Sequence, residues 1–153
     1  RAMETNFRLR KKIIAKCGMG EEIADFMGLF TMTREFMETE AGLQAMQRNQ
    51  ATVRANDPVF YTAFIDAILW LGRKMPGQEG EPLFTSRLKD IRCPTLVMTG
   101  DNDGFIPAKF SRIIAEAIPG AKYIEITGGG HIPYIEKPEA SVAATLAFIR
   151  SLR

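Results

Sequence analysis

The feature that most constrains this chain is a rhythm in its last sixty residues. Pro94-Thr95-Leu96-Val97-Met98-Thr99-Gly100 is a short, continuous apolar run ended by glycine. It is too short for a helix, and it has the look of a strand buried on both faces of a parallel sheet. Pro107 to Ile118 then carries Phe110, Ile113, Ile114 and Ala117 at helical spacing, and Pro119-Gly120 stops it. Lys122-Tyr123-Ile124-Glu125-Ile126 alternates as a second strand, and Lys137-Pro138 opens a last helix with Val142, Leu146 and Ile149 on its apolar side. Strands separated by helices need crossover connections, so the order predicts parallel strands in an α/β layer architecture.

The first part of the chain has a different texture and reads as helical throughout. Gly20-Glu21-Glu22 opens a run with Ile23, Phe26, Met27 and Phe30 at apolar positions, and acidic residues in a first turn suit the positive end of the helix dipole. Thr33 is an expected N-cap for one helix from Arg34 to about Asn49. Asp57-Pro58 is a strong helix start, and the helix to about Lys74 shows Phe60, Phe64, Ala67, Ile68 and Leu71 on one face. Val59, Ala63 and Trp70 widen that face, with Ile65 and Leu69 on the far side; a helix this apolar is expected between two layers. The breaker-rich stretch Met75-Pro76-Gly77-Gln78-Glu79-Gly80-Glu81-Pro82 is the expected linker. The expected organisation is therefore a helical region over 1–87 and an α/β region over 88–153.

Composition excludes several classes. With 46% apolar and 25% charged residues the chain has the makeup of a soluble globular protein, not of a disordered one. A net charge of +2 is too small to argue for nucleic acid or an anionic membrane, and the basic patch Arg8-Leu9-Arg10-Lys11-Lys12 reads as a solvated helix face. Cys17 and Cys93 have no metal-ligand or disulfide spacing, which predicts two reduced, buried thiols in the cytoplasm. No run approaches the ~20 apolar residues of a membrane span. A charged N-terminus without an apolar stretch after it does not read as a signal peptide, and a first residue other than Met makes a fragment or processed start an expectation.

The chemistry-bearing residues cluster on one edge. His131 is the sole histidine; it follows Gly128-Gly129-Gly130 after the second strand. Asp103 lies in the loop after the first strand, with Asp101 as a rival two residues earlier. Both loops leave the carboxyl ends of parallel strands, where reactive groups gather in open α/β sheets. An aspartate within hydrogen-bond reach of a histidine fixes its tautomer and stabilises its charged form, so the histidine can act as a general base. Glycines before it allow positive φ and leave room beside the ring. Asp101 reads equally as a turn residue bonding its own backbone.

These residues carry a resemblance. The segment Ile91-Arg92-Cys93-Pro94 through Gly100-Asp101-Asn102-Asp103-Gly104-Phe105-Ile106-Pro107 resembles the penultimate strand and acid loop of the α/β-hydrolase superfamily, an apolar strand followed by Gly-x-x-Asp-x-x-x-Pro. Ile118-Pro119-Gly120-Ala121, the second strand and Gly130-His131-Ile132-Pro133-Tyr134-Ile135-Glu136-Lys137-Pro138-Glu139 are similar to its last strand and histidine loop, with Phe148-Ile149 near the end of the closing helix. The resemblance covers residues 88–153 and implies catalytic roles for Asp103, rather than Asp101, and for His131. Residues 1–87 are similar, in position and helicity, to the helical lid that many members insert before the acid strand. The implied fold is thus the C-terminal half of an α/β-hydrolase core preceded by a lid.

One part of the pattern is absent. The family nucleophile sits on a Gly-x-Ser-x-Gly elbow between a strand and a helix. Ser86, Ser111, Ser141 and Ser151 have no such context, and Cys17, though flanked by Gly18 and followed by Gly20, has no strand before it. Family order places the elbow upstream of Arg1, along with the oxyanion-hole loop. The expected activity of the whole enzyme is hydrolysis of an ester, lactone or related carbonyl compound, with esterase or enol-lactonase chemistry first and carbon–carbon bond hydrolase, haloperoxidase or dehalogenase chemistry as alternatives. No metal and no organic cofactor is implied. The expected partners are a small carbonyl substrate and the missing N-terminal half of the core, with neither nucleic acid nor membrane. Met19, Met27, Met32, Met37 and Met46, interleaved with Phe26, Phe30 and Phe36, suggest a pocket for a largely apolar acyl or alcohol group. The competing expectation is a shortened, inactive interaction module in which His131 is a relic.

Overall fold

The computed structural model describes residues 1–71 and 85–152. The linker expected over 75–82 therefore lies outside the described residues. Five helices come first: α1 (Ala2–Cys17), α2 (Glu21–Thr31), α3 (Arg34–Met37), α4 (Glu40–Arg54) and α5 (Pro58–Leu71). After a 3-10 turn at Thr85–Asp90 come β1 (Leu96–Gly100), α6 (Ala108–Ala117), β2 (Lys122–Ile126), α7 (Pro133–Glu136) and α8 (Pro138–Arg150). The described residues form two compact units, one of residues 1–29 with 37–71, the other of residues 30–36 with 85–152.

Side-chain caps set several helix starts, at Thr33 in the second unit and at Thr39 and Asp57 in the first. Thr33 Oγ1 accepts from Phe36 N at 3.3 Å, as an N-cap should, but the helix it starts lasts one turn. The chain breaks at Glu38-Thr39 and restarts as α4, because the Thr39 hydroxyl accepts from Gly42 N at 3.0 Å and offers the backbone a second cap. Asp57 Oδ1 accepts from Val59 N at 2.7 Å and Phe60 N at 3.1 Å and so opens α5. α5 is covered on one side only, where two layers were expected. Ile65 is 0% exposed, whereas Phe60 is 78% exposed and Phe64 is also exposed. The reason is the neighbour: α5 packs on α1. There Arg10 Nη1 donates to the Tyr61 hydroxyl at 3.2 Å and Lys11 Nζ pairs with Asp66 at 2.6 Å. These polar contacts flank Ile65 on the covered side, and among the described residues no second layer covers Phe60.

In the second unit, β1 and β2 pair in parallel, from Leu96 opposite Lys122 to Gly100 opposite Ile126. α6 links them and packs against β1 and β2, and α8 packs against β2. The apolar positions of α6 and α8 remain uncovered: Phe110, Ile113, Ile114, Val142, Leu146 and Ile149 are all exposed, while Ala115 and Ser141 are buried. Cys17 and Cys93 are free and exposed, not buried as expected; Cys17 ends α1 and Cys93 lies in the loop before β1. No helix among the described residues is long and apolar enough to cross a membrane.

Candidate functional site

The parallel register brings the carboxyl ends of β1 and β2 side by side, and the loops leaving them are stitched together. Asp101 N donates to Ile126 O at 3.2 Å, which carries the ladder one step past the strand. Asn102 N donates to Gly129 O at 3.0 Å. The two backbones come so close that a β-carbon at Gly100 would lie 2.0 Å from Gly129 O. Gly128 takes φ +67°, a conformation most side chains avoid. Asp101, the rival acid, faces this joint: its Oδ1 accepts from Gly128 N at 2.7 Å.

Asp103 is placed differently. Its Oδ1 accepts from Phe105 N at 2.8 Å and from Ile106 N at 2.7 Å, a tight turn that fixes the carboxyl group. That leaves Oδ2, which lies 2.9 Å from His131 Nδ1. The Asp103 side chain is 5% exposed and that of His131 is 29% exposed, so the pair is buried at the acid and open at the ring. The Phe105 ring meets the imidazole edge to face at 5.0 Å between centroids. A carboxylate is an acceptor, so Nδ1 carries the proton in the neutral ring and Nε2 keeps its lone pair. The structure thus brings His131 together with Asp103 and not with Asp101.

A second buried carboxylate stands behind the histidine loop. Glu136 is 6% exposed. Its Oε1 accepts from Gly130 N at 3.2 Å, and its Oε2 accepts from Thr33 N at 3.2 Å and from the Thr33 hydroxyl at 2.6 Å. His131 N in turn donates to Thr31 O at 3.1 Å. Sequence reasoning gave Thr33 only a capping role and Glu136 only a place in a motif. A glutamate two residues before a proline ordinarily reads as a solvated residue, and no local signal distinguishes a buried one.

Comparison with known proteins adds four observations. A family model described as alpha/beta hydrolase fold matches residues 18–138. BpoC of Mycobacterium tuberculosis, provisionally named a non-heme bromoperoxidase, is 35% identical over 72 residues, which is 45% of this chain and 28% of that protein. Among solved structures, the chain resembles an esterase from Thermogutta terrifontis, with a TM-score of 0.73, 22% identity, 99% of this chain and 51% of the other covered. It also resembles the enol-lactonase from Burkholderia xenovorans LB400, with a TM-score of 0.75, 24% identity and coverage of 94% and 50%. At these identities the structural likenesses show the fold alone, and the chain spans about half the length of the solved structures it matches.

Proposed function

The chain belongs to the alpha/beta hydrolase fold family, and from that premise we propose that it supplies the acid and the base of a carbonyl-directed hydrolase. His131 takes a proton at Nε2 from a nucleophile that lies outside these residues, and then activates water to release the acyl group. Asp103 holds the ring by Nδ1 and stabilises the imidazolium. Esters and lactones are the substrate class. The observation that carries this reading is the 2.9 Å contact of His131 Nδ1 with an Asp103 carboxyl already pinned by two backbone N–H groups. Fold alone would not carry it, because one fold hosts many chemistries.

Residues 1–87 serve in this reading as a lid, and the rest of the sheet, in the same polypeptide or another, is the partner. Among the described residues two strands make a small sheet, and the exposed apolar positions of α6 and α8 fit a surface that the remaining core covers. The test is hydrolysis of a nitrophenyl ester by the protein joined to its upstream sequence. His131→Ala is expected to lower kcat by on the order of 10⁴-fold or more, with no turnover by residues 1–153 alone. A loss under about tenfold, against that expected scale, would remove His131 from the role.

A further inference from the structure

We infer that Glu136 is a positioning residue for His131, holding the histidine loop and residues 31–33 in one fixed arrangement; this rests on the reading of His131 as the general base. The carboxylate bridges two segments that flank the histidine backbone. On one side it accepts from Gly130 N, the amide immediately before His131. On the other it accepts twice from Thr33, two residues beyond Thr31, whose carbonyl accepts from His131 N. The direction of the Thr33 bond is set locally: its oxygen already accepts from Phe36 N, so its hydrogen is available to Glu136. A β-carbon at Gly130 would lie 2.4 Å from Glu136 Oε1, so glycine at this position is what lets the carboxylate approach. Glu136 touches no reacting group; it acts by removing the freedom of the backbone from which His131 reaches Asp103.

The chemistry needs a carboxylate. Three donors converge on two oxygens, and both oxygens can only accept. Glutamine has the same shape but one acceptor oxygen. Its NH₂ must oppose either Gly130 N–H or the Thr33 donors, so one of the two supports of His131 fails whichever way the amide turns.

The chain's single histidine makes the test direct, because its ring N–H gives one assignable ¹⁵N–¹H resonance. Exchange of that ring proton with water is followed by NMR in residues 1–153, with Asp103→Asn as the reference for a broken pair. Glu136→Gln is expected to speed ring exchange about tenfold, the scale of one lost buried hydrogen bond, while the backbone amides of β1 and β2 keep their protection. Unchanged ring exchange would overturn the inference. So would acceleration of the ring and strand amides in step, which is the mark of a residue that merely holds the fold. If Glu136→Gln does not fold, Thr33→Val removes one of the three donors and is expected to give a smaller acceleration of about threefold, with the same two outcomes decisive. A ring signal that ignores Asp103→Asn would instead sink the Asp103–His131 pair, and the role of Glu136 with it.

Discussion

At the carboxyl ends of β1 and β2, buried polar groups are answered. Both oxygens of Asp103 and both of Glu136 accept hydrogen bonds, Asp101 bridges to Gly128, and the loop backbones bond each other. Along α5, α6 and α8 the situation reverses: Phe60, Ile113 and Val142, among the most apolar side chains of their helices, face outward. The difference teaches where each kind of structure comes from. Directional bonds at the strand ends need only residues close in space, so that edge is built from this chain's own groups. Apolar burial needs area on both sides, and the described residues offer one side. The two regions therefore predict different responses to substitution.

The largest effect belongs to the polar edge. In the joined enzyme, Asp103→Asn is expected to cut kcat by on the order of 10⁴-fold. The geometry says why: Phe105 N and Ile106 N keep the amide oxygen, so the NH₂ turns toward Nδ1, and the ring must carry its proton on Nε2. A base without its lone pair cannot accept the nucleophile's proton. Steady-state kinetics checks this; a change confined to KM would break the comparison.

Next comes a contrast within one helix. Ile65→Ala should cost about 2–5 kcal/mol of unfolding free energy in the first unit, since the side chain is fully enclosed. Phe60→Ala, five residues earlier, should stay within about 0.5 kcal/mol in residues 1–153. Denaturant titration measures both. A large cost at Phe60 would mean that the apolar face already has a cover. Comparable to Ile65→Ala is Gly100→Ala, where the new methyl would lie 2.0 Å from Gly129 O, so backbone must move and the overpacking should cost about 3 kcal/mol; the same titration reads it, and a neutral result would show that the two loops can part.

Much of this was legible in sequence, for identifiable reasons. The strand at Leu96–Gly100, the helix after Pro107 and the strand at Lys122–Ile126 announce themselves by period and by glycine and proline stops, so the placement of Asp103 and His131 on neighbouring strand ends could be read before any coordinates. Periodicity could not say which side of α5 is covered, because it reports which face is apolar and not what stands opposite; the ties of Arg10 and Lys11 to Tyr61 and Asp66 decide that. The break at Thr39 was missed because the hydroxyl wins locally over a helical pattern that continues through it. Glu136 was invisible as a support because its partner Thr33 is 103 residues away. For the same reason the packing of residues 30–36 with 85–152 has no local signature.

The smallest expected effect separates buried polar groups from exposed ones. On the surface between α6 and β2, Glu125 Oε1 accepts from the Tyr123 hydroxyl at 2.5 Å and from Arg112 Nη2 at 2.7 Å. The Tyr123 hydrogen bond first, and then the Arg112 guanidinium, hold the Glu125 carboxyl below its ordinary range. Burial first, and then the bond to Glu125, push the Tyr123 phenol up. The signs follow from linkage. A carboxyl with a lowered folded pKa adds stability that is present above its ordinary value near 4.5 and is lost as pH falls through the folded value. A phenol with a raised one adds stability that is present below about 10 and is lost as pH rises past it. Glu125→Gln should therefore lower the melting temperature slightly at neutral pH, and the gap to the unaltered chain should close as the solution is acidified below pH 4.5. Salt should shrink the same gap, because these charges are in contact with solvent. Ring-proton exchange at His131 should not respond to Glu125→Gln at any pH, since the cluster joins α6 to β2 and its bonds reach neither Asp103 nor Glu136. If it did respond, the strand-end edge would not be the self-contained structure that its bonds describe.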